Sequence, residues 1–185
     1  RAVVKLRAEV PADARSARTL GSEREGNGVV IDSDGLVLTI GYLVLEAMAV
    51  NVVDASGKLV AADVVAYDYD TGFGLVRAIG LKSEPIRLGD SADAAERSPV
   101  LIAAHGGREQ ALGGFVASRR GFAGYWEYLI DGAIFTAPPH PNWGGAALIG
   151  ADGRLLGVGS LFVRDAGPGG QPLPGNMFVP INLLK

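Results

Sequence analysis

Apolar and polar positions alternate from the start of the chain. Val4, Leu6, Ala8 and Val10 fall on one face and Lys5, Arg7 and Glu9 on the other, the period of a half-buried strand over residues 2–10. Residues 11–26 carry Pro11, Gly21 and the charged triplet Glu23-Arg24-Glu25, and read as an exposed, solvated loop. Gly28-Val29-Val30-Ile31 and Leu36-Val37-Leu38-Thr39 then flank Asp32-Ser33-Asp34-Gly35, where Asp-Gly between β-branched runs signals a hairpin. Val50-Asn51-Val52-Val53 and Leu59-Val60-Ala61-Ala62 form a second hairpin around Asp54-Ala55-Ser56-Gly57, and residues 43–49 before it fit a short helix or turn. Val64-Val65-Ala66-Tyr67 and Gly74-Leu75-Val76-Arg77 are expected as strands on either side of a bend with Asp68 and Asp70 in solvent. Ile86-Arg87-Leu88 reads as a strand running into a loop at Gly89-Asp90-Ser91.

The second half follows the same rules. Pro99-Val100-Leu101-Ile102-Ala103-Ala104 is expected as a buried strand ended by Gly106-Gly107, and residues 112–118 as another. Gly121-Phe122-Ala123-Gly124-Tyr125 reads as an aromatic, glycine-rich turn or a partner surface, and Trp126-Glu127-Tyr128-Leu129-Ile130 alternates again. Ala133-Ile134-Phe135-Thr136-Ala137 leads into His140-Pro141-Asn142-Trp143-Gly144-Gly145. Ala146-Ala147-Leu148-Ile149 and Leu155-Leu156-Gly157-Val158 follow, joined by a turn at Ala151-Asp152-Gly153. Residues 164–175, with Pro168, Gly169, Gly170, Pro172 and Pro174, are expected as a long mobile loop before a last strand, Met177-Phe178-Val179-Pro180-Ile181. Many short strands joined by turns predict an all-β barrel or sandwich rather than alternating β and α units. No repeat period is visible, but two halves of similar size fit, with a link near residues 82–98.

Composition narrows this picture. Hydrophobic residues make up 48% of the 185, which excludes a disordered chain, and 27 glycines with 10 prolines supply the turns that an all-β fold needs. A net charge of −3 gives no general attraction to nucleic acid. There is no cysteine, so disulfides and thiolate sites are excluded, and two histidines are poor support for a zinc site. No apolar run reaches the ~20 residues of a membrane-spanning helix, and no signal peptide is visible in these residues. The chain opens at Arg1 rather than Met and stops just after an apolar run, so a piece of a longer protein is expected.

Three stretches together resemble trypsin-like serine proteases of the HtrA/Deg type. Residues 26–39 are similar to that family's Gly-Ser-Gly-Val-Ile-Ile, Asp-Gly turn and Leu-Thr. The family continues Asn-Asn-His with the general base, whereas this chain has Ile40-Gly41-Tyr42. Ala66-Tyr67-Asp68-Tyr69-Asp70-Thr71-Gly72-Phe73-Gly74-Leu75-Val76 is similar to the stretch written Asp-x-x-Thr-Asp-Leu-Ala-Val-Leu, with Gly72 in the place of the aspartate that orients the histidine and Asp68 and Asp70 out of register. The loop at His140-Pro141-Asn142-Trp143-Gly144-Gly145 resembles the nucleophile loop, written Gly-Asn-Ser-Gly-Gly. Trp143 stands for the serine and Pro141 for the first glycine. Gly157-Val158-Gly159-Ser160 resembles the strand that lines the substrate cleft. The resemblance implies two six-stranded Greek-key barrels in one domain, residues 1–90 and 98–185.

Serine hydrolysis needs a hydroxyl, a base to take its proton and a group to orient that base. Trp143 offers only an indole N–H. Tyr42, with an ordinary pKa of ~10, is a poor base at neutral pH, and Gly72 has no side chain. Pro141 has no N–H to give to an oxyanion hole, whose other equivalent donor lies at Trp143. No catalytic residue is therefore assigned: the resemblance implies a pseudoprotease, with no cofactor or metal called for. The implied cleft comprises Tyr42, His140, Asn142, Trp143, Gly159, Ser160 and Leu161, and would take an extended peptide or protein segment. Trp143 fits either core filler in a vacated cleft or an aromatic anchor for a peptide. Two alternatives stay open: an enzyme with a displaced nucleophile, Ser118 or Ser160 with His105 or His140, and a structural or oligomerisation module. The resemblance also implies a periplasmic or cell-envelope location, and often a C-terminal PDZ domain.

Overall fold

The computed structural model describes residues 1–124 and 129–184. The alternation expected over Trp126-Glu127-Tyr128, and Tyr125 before it, lie outside the described residues. Twelve strands form among the described residues. The first six are β1 (Val3–Glu9), β2 (Glu23–Val30), β3 (Leu36–Ile40), β4 (Ala49–Val53), β5 (Leu59–Tyr67) and β6 (Phe73–Arg77). The second six are β7 (Pro99–Ala103), β8 (Ala111–Phe122), β9 (Ile130–Ala137), β10 (Ala147–Ile149), β11 (Leu155–Val163) and β12 (Gly175–Pro180). Each set closes into an antiparallel barrel, in the orders β1-β2-β3-β6-β5-β4 and β7-β8-β9-β12-β11-β10. The fourth strand of each set returns beside the first, β4 on β1 and β10 on β7, which makes each barrel a Greek key. The two orders are the same, a structural repeat with no matching period in the sequence.

Local chemistry explains the turns. Asp32 Oδ1 accepts from the amides of Asp34 and Leu36 at 2.8 and 2.7 Å, and Asp54 Oδ1 does the same for Ser56 and Lys58 at 2.8 and 3.0 Å. Asp152 Oδ1 accepts from Arg154 N at 3.0 Å. Each aspartate stands in for a backbone acceptor and folds its hairpin locally. Between turns, alternation turns one face of each strand inward. Val4, Leu6, Val29, Leu38, Val52 and Val76 are buried in the first barrel, and Ile102, Val116, Ile134, Leu148 and Phe178 in the second. Burial of a side chain of this size contributes roughly 1.5–3 kcal/mol, so the alternating faces hold the barrels closed.

The structure departs from the sequence expectations in several places, among them Gly121-Phe122, which end β8 rather than form a turn. Glu23-Arg24-Glu25 is not a solvated loop but the start of β2, with Arg24 5% exposed. The buried guanidinium reaches four acceptors: Gly21 O, Tyr42 O, Leu45 O and Ser16 Oγ, at 2.7–3.1 Å. The expected strands at 59–62 and 64–67 are one strand, β5, which pairs with β4 over its first half and β6 over its second, with a bulge near Val65. Ile86-Arg87-Leu88 forms only an isolated bridge, Leu88 to Leu155. The strand at β7 is half-buried, with Leu101 pointing outward. Residues 164–175 form a hydrogen-bonded loop: Ala166 N donates to Leu173 O and Leu173 N to Arg164 O, both at 2.9 Å, and Ala166 is fully buried.

Candidate functional site: a cleft between the barrels

The turn that follows β9 crosses to the first barrel, and Asn27 on β2 receives it. Asn27 N donates to Gly144 O at 2.8 Å, and its Nδ2 donates to Asn142 O and Gly144 O, both at 3.0 Å. Its Oδ1 accepts from His105 N at 2.8 Å, and its carbonyl accepts from Thr39 Oγ1 at 2.7 Å. One side chain, 5% exposed, thus joins β2 to two loops of the other barrel. The two glycines after Trp143 make this approach possible. Gly145 has φ +73°, and a Cβ there would lie 1.9 Å from Asn27 O. A Cβ on Gly159 would lie 2.1 Å from Trp143 O. The loop is then pinned to β11 by Gly145 N to Gly159 O and by Gly159 N to Ala146 O, both 2.8 Å.

Tyr42 sits in the helical turn Gly41–Leu43 that follows β3. Its carbonyl accepts from Arg24, and Gly41 N donates to Gly72 O at 2.6 Å, so the turn is held from both sides. Gly72 has φ +77°, a conformation that suits glycine. The Tyr42 ring spans the barrels: its Oη donates to Ser160 O at 2.7 Å and lies 3.1 Å from where a Cβ of Gly144 would be. Trp143, half-buried, sets its indole beside Phe162, with ring centroids 5.9 Å apart and planes tilted by 42°. Tyr42 thus stands beside the Trp143 loop between the barrels, and Gly72 holds the turn that carries Tyr42.

The remaining predicted cleft residues divide. Tyr42, Pro141, Asn142 and Trp143 line a cleft of about 370 Å³ together with Asn27 and His105. Glu25 stands on its wall, bound by Lys5 and Arg7 at 2.8 Å each. The hydrogen bond from Lys5 is the main reason that its carboxyl lies below its ordinary pKa. His140, Gly159 and Ser160 are buried behind this wall, and Leu161 is half-buried. His140 Nδ1 accepts from Asn142 N at 3.0 Å, Nε2 lies 3.2 Å from Gln110 O, and its own N donates to Asn176 Oδ1 at 2.6 Å. Burial pushes its pKa below the ordinary value, partly offset by the Gln110 carbonyl. His105 Nε2 lies 3.3 Å from Asp54 O. Ser118, on β8, donates to Ala166 O at 2.8 Å and accepts from Arg120. Both imidazoles and this serine thus have other partners, which weighs against their pairing as a displaced catalytic group.

Sequence reasoning missed Asn27, Arg24, Gln110 and Phe162. Asn27 carried one signal: it stands where the family motif has Ser between two glycines. Arg24 carried none, because a charged triplet beside a glycine looks the same in a loop and in a strand.

Comparison with known proteins gives a consistent picture. The chain is 28% identical over 173 residues to the serine protease PepD of Mycobacterium tuberculosis, a match that covers 82% of this chain and 37% of PepD. Among solved structures, the active form of the Rv3671c protease of M. tuberculosis superposes with a TM-score of 0.76 at 22% identity, covering 98% of this chain and 76% of that one. The HtrA-type protease AlgW, solved with a tripeptide, superposes with a TM-score of 0.73 at 23% identity, covering 98% of this chain and 57% of AlgW. The chain thus spans little more than a third of PepD and just over half of AlgW. The family model described as trypsin-like peptidase domain matches residues 26–158, from within β2 to within β11 and across all three motif stretches, and the chain belongs to that family.

Proposed function

We propose that this domain is an HtrA-type pseudoprotease: a trypsin-like peptidase domain without peptidase activity that keeps its inter-barrel cleft for an extended peptide or protein segment. The observation that carries the reading is the Tyr42 hydroxyl, which donates to Ser160 O across the barrels at 2.7 Å. A phenol donating to a carbonyl is not a base awaiting a proton, and beside it Trp143 has no hydroxyl to activate. In a protease of another fold, loss of the triad costs on the order of 10⁶ in turnover. Loss of one oxyanion donor, as Pro141 implies, costs roughly another 10²–10³. Together these exceed what binding alone could restore.

Binding is supported by different features. Beyond Gly159, which the Gly145-Ala146 loop still bonds, β11 pairs among the described residues with β12 alone. Tyr42 takes the Ser160 carbonyl, so strand addition would begin at Leu161 and run to Val163. Phe162, 43% exposed, and Trp143 form an aromatic face beside that edge. AlgW, the fold relative described with a tripeptide, supports a peptide as the ligand class. We propose a periplasmic or cell-envelope location from the HtrA/Deg resemblance of the motif stretches. No helix among the described residues is long and apolar enough to cross a membrane.

A fluorogenic casein assay with a covalent serine-directed probe tests the first half. Inhibitor-sensitive turnover or a labelled serine would overturn it. A peptide array followed by calorimetry tests the second: binding should weaken in Phe162→Ala. Absence of any bound extended peptide removes that half and leaves the inactive scaffold.

A further inference from the structure

His140 is placed to do more than fill space. It is 3% exposed, yet both ring nitrogens are used, and in one tautomer only. Nδ1 must carry the lone pair, since it accepts from Asn142 N at 3.0 Å, and Nε2 must carry the proton shared with Gln110 O at 3.2 Å. The second fastening of the same loop runs in parallel, Asn142 Nδ2 to Gln110 Oε1 at 3.0 Å. The third is Asn27 Nδ2 to Asn142 O. Asn142 and Pro141 are otherwise exposed, and Trp143 follows directly.

We propose that His140 is an acid-sensitive clasp on the cleft wall: protonation at Nδ1 releases the Asn142 amide and frees the Pro141-Asn142-Trp143 segment to move. A proton added at Nδ1 faces the Asn142 N–H, so an acceptor–donor pair becomes two donors. The new cation also has no carboxylate bonded to it among the described residues. The ring's own hydrogen-bond partners are neutral, Asn142 from its own loop and Gln110 from the helical turn Gly107–Gln110, while Asn176 from β12 holds the His140 main-chain N–H. That turn also carries Arg108 and Glu109, both exposed. Burial and the Gln110 carbonyl are the influences on its proton affinity, and the larger one resists protonation. The strain of an uncompensated buried charge is relieved when the ring turns outward. This device concerns the conformation of the loop and stands whether or not the cleft takes a peptide.

The test uses the emission of Trp143 in a Trp126→Phe background, followed from about pH 8 to about pH 4.5, across the ordinary histidine range. A single-proton shift of emission to longer wavelength is expected, with its midpoint below the ordinary histidine value. It should vanish when His140→Asn is added, because Asn offers an acceptor that does not titrate, and persist when His105→Asn is added instead. A shift that survives His140→Asn, or is lost with His105→Asn, overturns the proposal. If a variant fails to fold, NMR of the unsubstituted chain decides. The His140 ring and the Asn142 and Trp143 amides must titrate with one midpoint, and separate midpoints, or no titration of the amides, refute it.

Discussion

Removing the Asn27 side chain tests whether the two barrels are tied where the structure ties them. Asn27→Ala deletes the bonds from Nδ2 to Asn142 O and Gly144 O and the acceptor for His105 N. Gly144 O keeps its bond from Asn27 N, so its loss is small. The His105 N–H is left without its partner, at about 1–3 kcal/mol for a group shielded from water, and Asn142 O adds roughly 1 kcal/mol. The sum is about 2–4 kcal/mol. At ~2–4 °C per kcal/mol for a chain of this length, melting should fall by roughly 4–16 °C. Equilibrium urea unfolding at neutral pH measures the change from the shift in midpoint at constant slope. Asn27→Asp separates hydrogen bonding from packing. It keeps an acceptor for His105 N but sets a carboxylate oxygen against two carbonyls, so its folded-state pKa is raised above the unfolded value of ~3.9. Its penalty is therefore full above the folded pKa and shrinks as pH falls and the carboxyl becomes a donor. A loss below ~1 kcal/mol for Asn27→Ala, or Asn27→Asp as stable as the parent at neutral pH, would refute the assignment of this residue as the inter-barrel tie.

Four further outcomes are expected. Tyr42→Phe removes the bond to Ser160 O and should cost about 0.5–1.5 kcal/mol by urea unfolding without creating peptidase activity. Gly145→Ala should cost more than ~3 kcal/mol or prevent folding, because φ +73° and a backbone oxygen 1.9 Å away leave no room, whereas Gly153→Ala, with φ +79° but open space, should stay folded. Arg24→Met should cost about 2–4 kcal/mol in the same assay, since four acceptors around a buried guanidinium lose their donor. Stability should fall in acid through His140: its folded pKa is depressed, so its contribution is present above the unfolded value of ~6.5 and is lost as pH falls toward the folded one. Comparison of parent and His140→Asn unfolding over that window reads this directly.

What the sequence determined by itself was local and chemical. Hairpins at Asp32–Gly35 and Asp54–Gly57 were legible because an aspartate folds its own turn within four residues, and alternation shows which face of a strand is apolar. The missing hydroxyl at Trp143 and the missing amide hydrogen at Pro141 follow from covalent structure and need no fold. Tertiary structure alone decided the rest. Whether Arg24 is solvated or buried depends on acceptors at Ser16, Tyr42 and Leu45 that arrive from other segments. The closure of each barrel, the use of Asn27 by loops 78 and 115 residues away, and the meeting of Tyr42 with Ser160 across 118 residues are long-range pairings. Short-range propensity carries no information about them, because their partners are brought together only when the apolar faces of two barrels are buried.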